Sequence, residues 1–274
     1  MREAKFMIGV FDSGFGGLTV LREFLDKLPR YDYIYLGDNA RAPYGSKSEE
    51  AIYNYTKEAV NFLFRKGCEL IIIACNTASA QALRKIQQEF LAVNYQDKRV
   101  LGVIIPVVEA AAELNNVNRI GLIGTRATVE SKTYEKELNN LRKDIIIYNQ
   151  SCPLLVPLIE EGWLKRAETK KILKKYLRPL KEKKIDALIL GCTHYPVLAK
   201  EIKQIMGKRV KILDAPRIVA EKLAYYLNKH PEIERRLSKN GKILFYTTDS
   251  VGRFKEMGKR FLGREVGDVK RIEL

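Results

Sequence analysis

Two stretches decide how this chain is read: Ile71-Ile-Ile-Ala-Cys75-Asn-Thr-Ala-Ser79 and Leu188-Ile-Leu-Gly-Cys192-Thr-His-Tyr-Pro196. Each is an apolar run, a small residue, a cysteine, then hydroxyl or amide residues and an apparent helix start. Apolar runs without alternation suit strands covered on both faces. The two cysteines lie 117 positions apart, close to one domain's length. The pattern predicts two similar α/β units, each presenting one cysteine at the carboxyl end of a strand. Ligands of open α/β sheets bind at those ends.

Working outward, short apolar runs alternate with amphipathic stretches along the chain. Strands are predicted at 6–11, 33–36, 70–74, 100–105, 119–123, 145–148, 187–190, 210–213 and 242–246. Helical patterns fall at 18–28, 48–66, 80–90 and 129–141. This βαβα rhythm predicts an α/β protein with mostly parallel sheets and helices on both faces. No short-period repeat or low-complexity linker interrupts it.

The chain has 274 residues, 46% of them hydrophobic and 30% charged, enough to bury a core without disulfides. No apolar run reaches the roughly 18 to 20 residues of a membrane span. The first residues lack an apolar segment followed by a small-residue cleavage site, so no secretory signal is expected. Four cysteines without a C-x-x-C pair fit thiols in a reducing cytoplasm. Cys68 and Cys152 lack the strand-end context and are expected to be structural. The net charge is +16. Residues 165–184 carry ten Lys or Arg against two acids, with Leu173, Tyr176, Leu177 and Leu180 at helical spacing beneath them. The expected reading is the solvated face of a helix, with a nucleic-acid patch as its alternative. The high Lys, Glu and Arg content would also fit a heat-adapted protein.

A cysteine at a strand-to-helix turn meets unpaired N–H groups and the positive end of the helix dipole, which push it toward thiolate. Asn76, Thr77, Ser79 and Thr193 add donors for an anion. The alternative for each cysteine is a small buried hydrophobe. His194, two residues beyond Cys192, can exchange a proton with that thiol near neutrality, or be an ordinary imidazole. His230 reads as surface. Asp12-Ser-Gly-Phe-Gly-Gly17 matches neither common phosphate-loop pattern. It reads instead as an acid and a hydroxyl at a strand end, with glycines permitting close approach. Asp38-Asn-Ala-Arg-Ala-Pro43-Tyr-Gly45 reads as a rigid polar loop with exposed amides. Cys75, Cys192, His194 and Asp12 include zinc-ligand types but lack the short paired spacings of zinc modules, so no metal site is expected. A single Cys/His nucleophile would leave the second cysteine unexplained.

Taken together, these segments resemble the glutamate racemases of the cofactor-independent aspartate/glutamate racemase superfamily. The matching stretches are Phe11-Asp-Ser-Gly-Phe-Gly-Gly-Leu-Thr19, 38–45, Ala74-Cys-Asn-Thr-Ala-Ser79 and Ile120-Gly-Leu-Ile-Gly-Thr-Arg-Ala-Thr128. Val156-Pro-Leu-Ile-Glu-Glu-Gly162, Leu190-Gly-Cys-Thr-His-Tyr-Pro196 and Phe245-Tyr-Thr-Thr-Asp249 follow in the family's order, so the resemblance covers essentially the whole chain. Phe15 and Asn39 depart from the commoner small aliphatic and Thr. The resemblance implies two α/β domains, 1–104 plus 215–274 and 105–214, with the active-site cleft between them.

It further implies that Cys75 deprotonates D-glutamate with help from Asp12, and Cys192 L-glutamate with help from His194. One base cannot readily serve both faces of a clamped Cα, so two opposed acid/base groups are needed. Ser13, Tyr44, Gly45, Asn76, Thr77 and Thr193 match positions that bind the substrate's carboxylates and ammonium. Glu160 matches an acid supporting His194, and Thr125 lies in a further motif near the pocket. No pyridoxal phosphate or metal is implied. The product D-glutamate would feed peptidoglycan synthesis in a bacterial cytoplasm. An aspartate racemase on the same scaffold is the nearest alternative. Members of the family dimerise in different ways, and a homodimer is an expectation without a chosen arrangement.

Overall fold

Ten strands are found among the described residues, 6–274 of this computed structural model, and all their pairings are parallel. In chain order they are β1 (Met7–Asp12), β2 (Tyr33–Gly37), β3 (Cys68–Ile73), β4 (Arg99–Gly102) and β5 (Arg119–Gly124). The series continues with β6 (Ile146–Ser151), β7 (Ala187–Gly191), β8 (Lys211–Leu213), β9 (Ile243–Thr247) and β10 (Val269–Arg271). One sheet has the order β10-β9-β2-β1-β3-β4, the other β6-β5-β7-β8.

The two sheets repeat one topological move. From β1 the chain steps sideways to β2, then crosses back to place β3 on the other side of β1. From β5 it steps to β6, then crosses back to place β7 on the other side of β5. Each reversal opens a crevice beyond the strand ends, where the loops leave in opposite directions. In the first sheet the crevice lies between the loops that start at Ser13 and Ala74. In the second it lies between those that start at Thr125 and Cys192. The repeated pattern around the two cysteines is therefore a repeat of architecture.

Burial explains why these runs became strands. β2, β3 and β7 are buried at every position, as unbroken apolar runs require. The edge strand β6 departs from that expectation, with no fully buried residue. The helices Leu18–Lys27, Ala215–Lys229 and Val251–Leu262 pack together. Through Leu18, Val107, Val219 and Leu223 one continuous core joins the two sheets. The sheets thus share apolar surface and are not beads on a linker.

Several boundaries differ from the sequence reading. The run at 100–105 is strand only to Gly102, and a helix, Ile104–Ala112, begins within it. Pro106 sits in that helix's first turn, where its missing N–H goes unnoticed, and a short apolar run alone does not separate strand from helix. The pattern at 80–90 starts earlier, as Asn76–Gln81, and continues through a π-helical segment, Ile86–Leu91. The pattern at 129–141 splits into Arg126–Glu130 and Thr133–Leu141 around Lys132, whose φ is 55°. β10 carried too few apolar residues to be read.

The basic segment forms the helix Ala167–Glu182. Leu173, Leu177 and Leu180 are buried beneath it, each contributing about 1.5–3 kcal/mol. Tyr176 is half-buried, and all ten Lys and Arg of 165–184 are exposed.

Candidate active site

The site begins where β1 runs out. Asp12 is fully buried at the strand's last position. Its carboxylate accepts from the Gly14 N–H at 2.9 Å and from the Thr193 hydroxyl at 3.3 Å. Burial pushes this carboxyl upward, opposed by the charge of His194 and the N–H groups of Gly17 and Gly14.

Cys75 caps the helix Asn76–Gln81, its Sγ accepting from the Ala78 N–H at 3.4 Å. The Ser13 hydroxyl lies 3.3 Å from the same sulfur. Those donors favour thiolate, as the sequence predicts, but burial outweighs them. With Asp12 adding its negative charge, the Cys75 thiol is pushed up to about 11. Cys192 is raised too, by burial first, against the backbone N–H of His194. The pull toward thiolate at these turns is thus outweighed by burial, and in the closed cleft both groups favour the thiol. A charge on Cys75 raises Cys192 further, so the two sulfurs sense each other across the cleft.

Cys192 leads into a 3-10 turn, Tyr195–Leu198. His194 Nδ1 lies 3.9 Å from the Cys192 sulfur and Nε2 lies 3.0 Å from Glu160 Oε1. Glu160 thereby holds the imidazole with Nδ1 turned toward the thiol. Phe261 meets the imidazole edge-on, with centroids 5.1 Å apart.

One cavity joins these groups. Ser13, Tyr44, Gly45, Cys75, Asn76, Thr77, Thr125, Glu160, Cys192, Thr193 and His194 all line it. Of the residues predicted for the site, Asp12 is not part of this lining; it holds Thr193 through its carboxylate. The cavity measures about 30 Å³, far below the roughly 300–1,000 Å³ of ordinary ligand pockets. The cleft must therefore open to admit an amino acid. A far larger cavity of about 2060 Å³ runs past Gln81, Arg84, Glu109 and Tyr225. It contains no cysteine or histidine, so size does not mark the chemistry here.

Glycines let the halves close this far. A Cβ on Gly16 would stand 2.3 Å from Thr193 Oγ1 and 2.4 Å from His194 Nδ1. One on Gly45 would stand 2.6 Å from Thr125 Cβ. The glycine-rich loop thus makes room for the chain's own second half, where the sequence suggested room for a ligand. Polar contacts complete the closure. Thr19 donates to the Thr193 carbonyl at 3.1 Å, Tyr134 to Asn76 Oδ1 at 2.6 Å, and Gln81 to the Ala127 carbonyl at 2.9 Å. Thr77 Oγ1 lies 2.8 Å from Thr125 Oγ1 and 3.1 Å from Thr128 Oγ1. Each such bond is worth about 0.5–1.5 kcal/mol net, small enough for the cleft to reopen.

The 38–45 loop, read from the sequence as rigid and polar, is anchored from inside the fold. Asp38 is fully buried and accepts from Tyr44 Oη, from Arg41 Nε at 2.7 Å and from Thr248 Oγ1 at 2.8 Å. Tyr44 is thereby buried against the cavity. Sequence reasoning named the loop but missed Asp38 as its anchor, along with Thr128, Tyr134, Val156 and Phe261. A lone acid opening a polar loop was the available signal. The other four carry only apolar or hydroxyl chemistry that fits any core.

One cavity thus brings together two buried cysteines, Cys75 beside the Ser13 hydroxyl and Cys192 beside the His194 imidazole. Residues 9–223 match the model of the Asp/Glu/Hydantoin racemase family, and the chain belongs to that family. It is 40% identical to the glutamate racemase of Geobacter metallireducens, over 97% of this chain and 96% of that one. Its structure is similar to a glutamate racemase isoform of Bacillus anthracis, with a TM-score of 0.90 and 37% identity over 99% and 98% of the two chains. It is also similar to the Francisella tularensis glutamate racemase solved with D-glutamate, with a TM-score of 0.88 and 36% identity over 98% of each chain.

Proposed function

We propose that this protein interconverts L- and D-glutamate by two-base proton transfer between Cys75 and Cys192. The observation that carries the reading is the pair of buried sulfurs, one from each crevice, on a single cavity with separate partners. A Cys75 thiolate takes the α-proton of D-glutamate, and the C–H electron pair stays on Cα as a carbanion. The Cys192 thiol then protonates the opposite face, giving L-glutamate and leaving Cys75 as thiol and Cys192 as thiolate. The reverse reaction exchanges the roles.

Neutral thiols in the closed cleft are compatible with this. Moving a thiol from about 11 toward neutrality takes a few kcal/mol at about 1.4 per pH unit. A substrate ammonium about 4 Å away contributes about 4 kcal/mol at intermediate dielectric. The substrate therefore helps ionise its own base. Asp12 holds Thr193 and neighbours Cys75; Glu160 orients His194 toward Cys192. Ser13, Tyr44, Gly45, Asn76, Thr77, Thr125 and Thr193 surround the substrate's charged groups. The carbanion is stabilised by these fixed donors in a dry cavity, without pyridoxal phosphate or a metal ion.

The reading includes the division into domains 1–104 plus 215–274 and 105–214, whose closure forms the cleft. It also includes a cytoplasmic role in supplying D-glutamate for peptidoglycan. Purified protein given L-glutamate with EDTA and no pyridoxal phosphate is expected to abolish its optical rotation. Retained rotation, or loss restricted to aspartate, refutes the assignment.

A further inference from the structure

The His194–Glu160 pair belongs to the half of the molecule built on the second sheet, yet it is held from the first. Glu160 ends a six-residue helix, Leu155–Glu160. Behind it the backbone turns through Gly162, at φ +74°, with the Gly162 N–H on the Ile159 carbonyl and the Trp163 N–H on the Leu158 carbonyl. This is a Schellman closure, and it leaves the carbonyl of Glu160 itself without a backbone donor. The donor comes from the helix Val251–Leu262, which lies between β9 and β10 in the chain. Arg260 Nη1 donates to the Ile159 carbonyl at 3.0 Å and to the Glu160 carbonyl at 3.3 Å. A guanidinium at a helix C-terminus also complements the dipole. Gly162 permits this approach, since a Cβ there would stand 3.3 Å from Arg260 Nη2. From the same helix Phe261 packs on the His194 ring, and Arg253 reaches within 3.9 Å of Glu160 Oε2.

We infer that Arg260 is a positioning residue for the Cys192 half of the reaction, fastening the Glu160 helix so that His194 is aligned only when the cleft is closed. The cavity is too small for an amino acid, and Val156 and Glu160 of that helix line it. Admitting substrate moves the helix away from Arg260, and closure returns it. The acid/base pair beside Cys192 is then assembled by closure, whereas Ser13 and Cys75 sit on strand ends of one sheet and need no such fastening. This inference rests on the two-base reading.

The test separates the two halves with L- and D-isomers of a β-chloroglutamate. In each, the cysteine thiolate removes the α-proton, the Cα–Cβ double bond forms, and chloride leaves with its bonding pair. Only the first base is required. Arg260→Met keeps the side chain's stem and removes its donors. It is expected to slow chloride release from the L-isomer about three- to tenfold, the value of one or two such bonds, with the D-isomer unchanged. Arg260→Lys, which retains the charge, is expected to restore part of the loss. A purely structural role would lower both rates alike. Equal loss from both isomers, or no loss from either, overturns the inference. If Arg260→Met does not fold, the ratio of L- to D-rates in Arg260→Lys decides by the same criterion. Cys75→Ser and Cys192→Ser serve as controls. If they fail to show mirrored preferences, the two-base reading itself is wrong and the inference falls with it. If they show the mirror and Arg260→Met does not favour the D-isomer, only the inference falls.

Discussion

Cys75 and Cys192 are chemically alike but differently supported, the first by a hydroxyl and a helix N-terminus, the second by an imidazole. A serine at either place is a far weaker base that can still lend a proton. Each serine variant is expected to lose racemisation by on the order of 10²–10⁴-fold. Because the two isomers have equal energies in solution, kcat/KM must fall equally in both directions. The asymmetry appears only in elimination, where Cys75→Ser should still act on the L-isomer and Cys192→Ser on the D-isomer. One dead and one near-normal variant, without that mirror, would instead indicate a single covalent nucleophile. The cysteines themselves were legible from their matching contexts. Their protonation was not, because desolvation depends on the opposite half closing over them, which no local pattern encodes.

At the scale of elements, the loop after β2 shows how a segment with little secondary structure becomes rigid. Asp38 gathers three side-chain donors, one of them Thr248 from beyond β9, so residues 210 positions apart fix Tyr44 against the cavity. Asp38→Asn keeps the shape but removes the charge that strengthens these bonds, each worth about 1.5–3 kcal/mol. The expected result is a rise of about tenfold in KM for glutamate, with a smaller change in kcat. Steady-state kinetics check this, and an unchanged KM with a reduced kcat contradicts it. The rhythm of strands and helices was readable from apolar runs. The early end of β4 and the split of the 129–141 pattern were not, because both turn on hydrogen bonds made across the fold. The Val103 N–H finds Ser79 Oγ at 3.4 Å, and the Thr133 hydroxyl donates to the Ala80 carbonyl at 3.0 Å.

For the whole molecule, burial of thiols ties stability to alkaline pH. All four cysteines are buried, and burial raises each of them, Cys152 to about 12. A folded thiol that holds its proton more tightly than an unfolded one, near 8.5, stabilises the fold fully below that pH. Above it the unfolded chain releases protons that the folded chain retains, so stability falls as pH rises toward the folded values. The Tm is therefore expected to hold between pH 7 and 8 and to decline from about pH 8.5 upward. Cys152→Ser, outside the cavity, should flatten part of that decline. A Tm that stays level to pH 10 would contradict it.

The sequence by itself determined the α/β class, the two cysteine-bearing strand ends and the buried face of the basic helix. Each rests on short-range periodicity, which backbone geometry converts directly into a strand or a helix face. It also carried the glycines at 16 and 45, but not what they accommodate. Only the tertiary structure decided that two topological reversals face each other and that Asp12 holds Thr193. The same is true of Arg260, which fastens a helix of the opposite half. These are contacts between residues about 100 to 180 positions apart. They arise because both sheets bury their strand ends against one another, and such pairings leave no period along the chain.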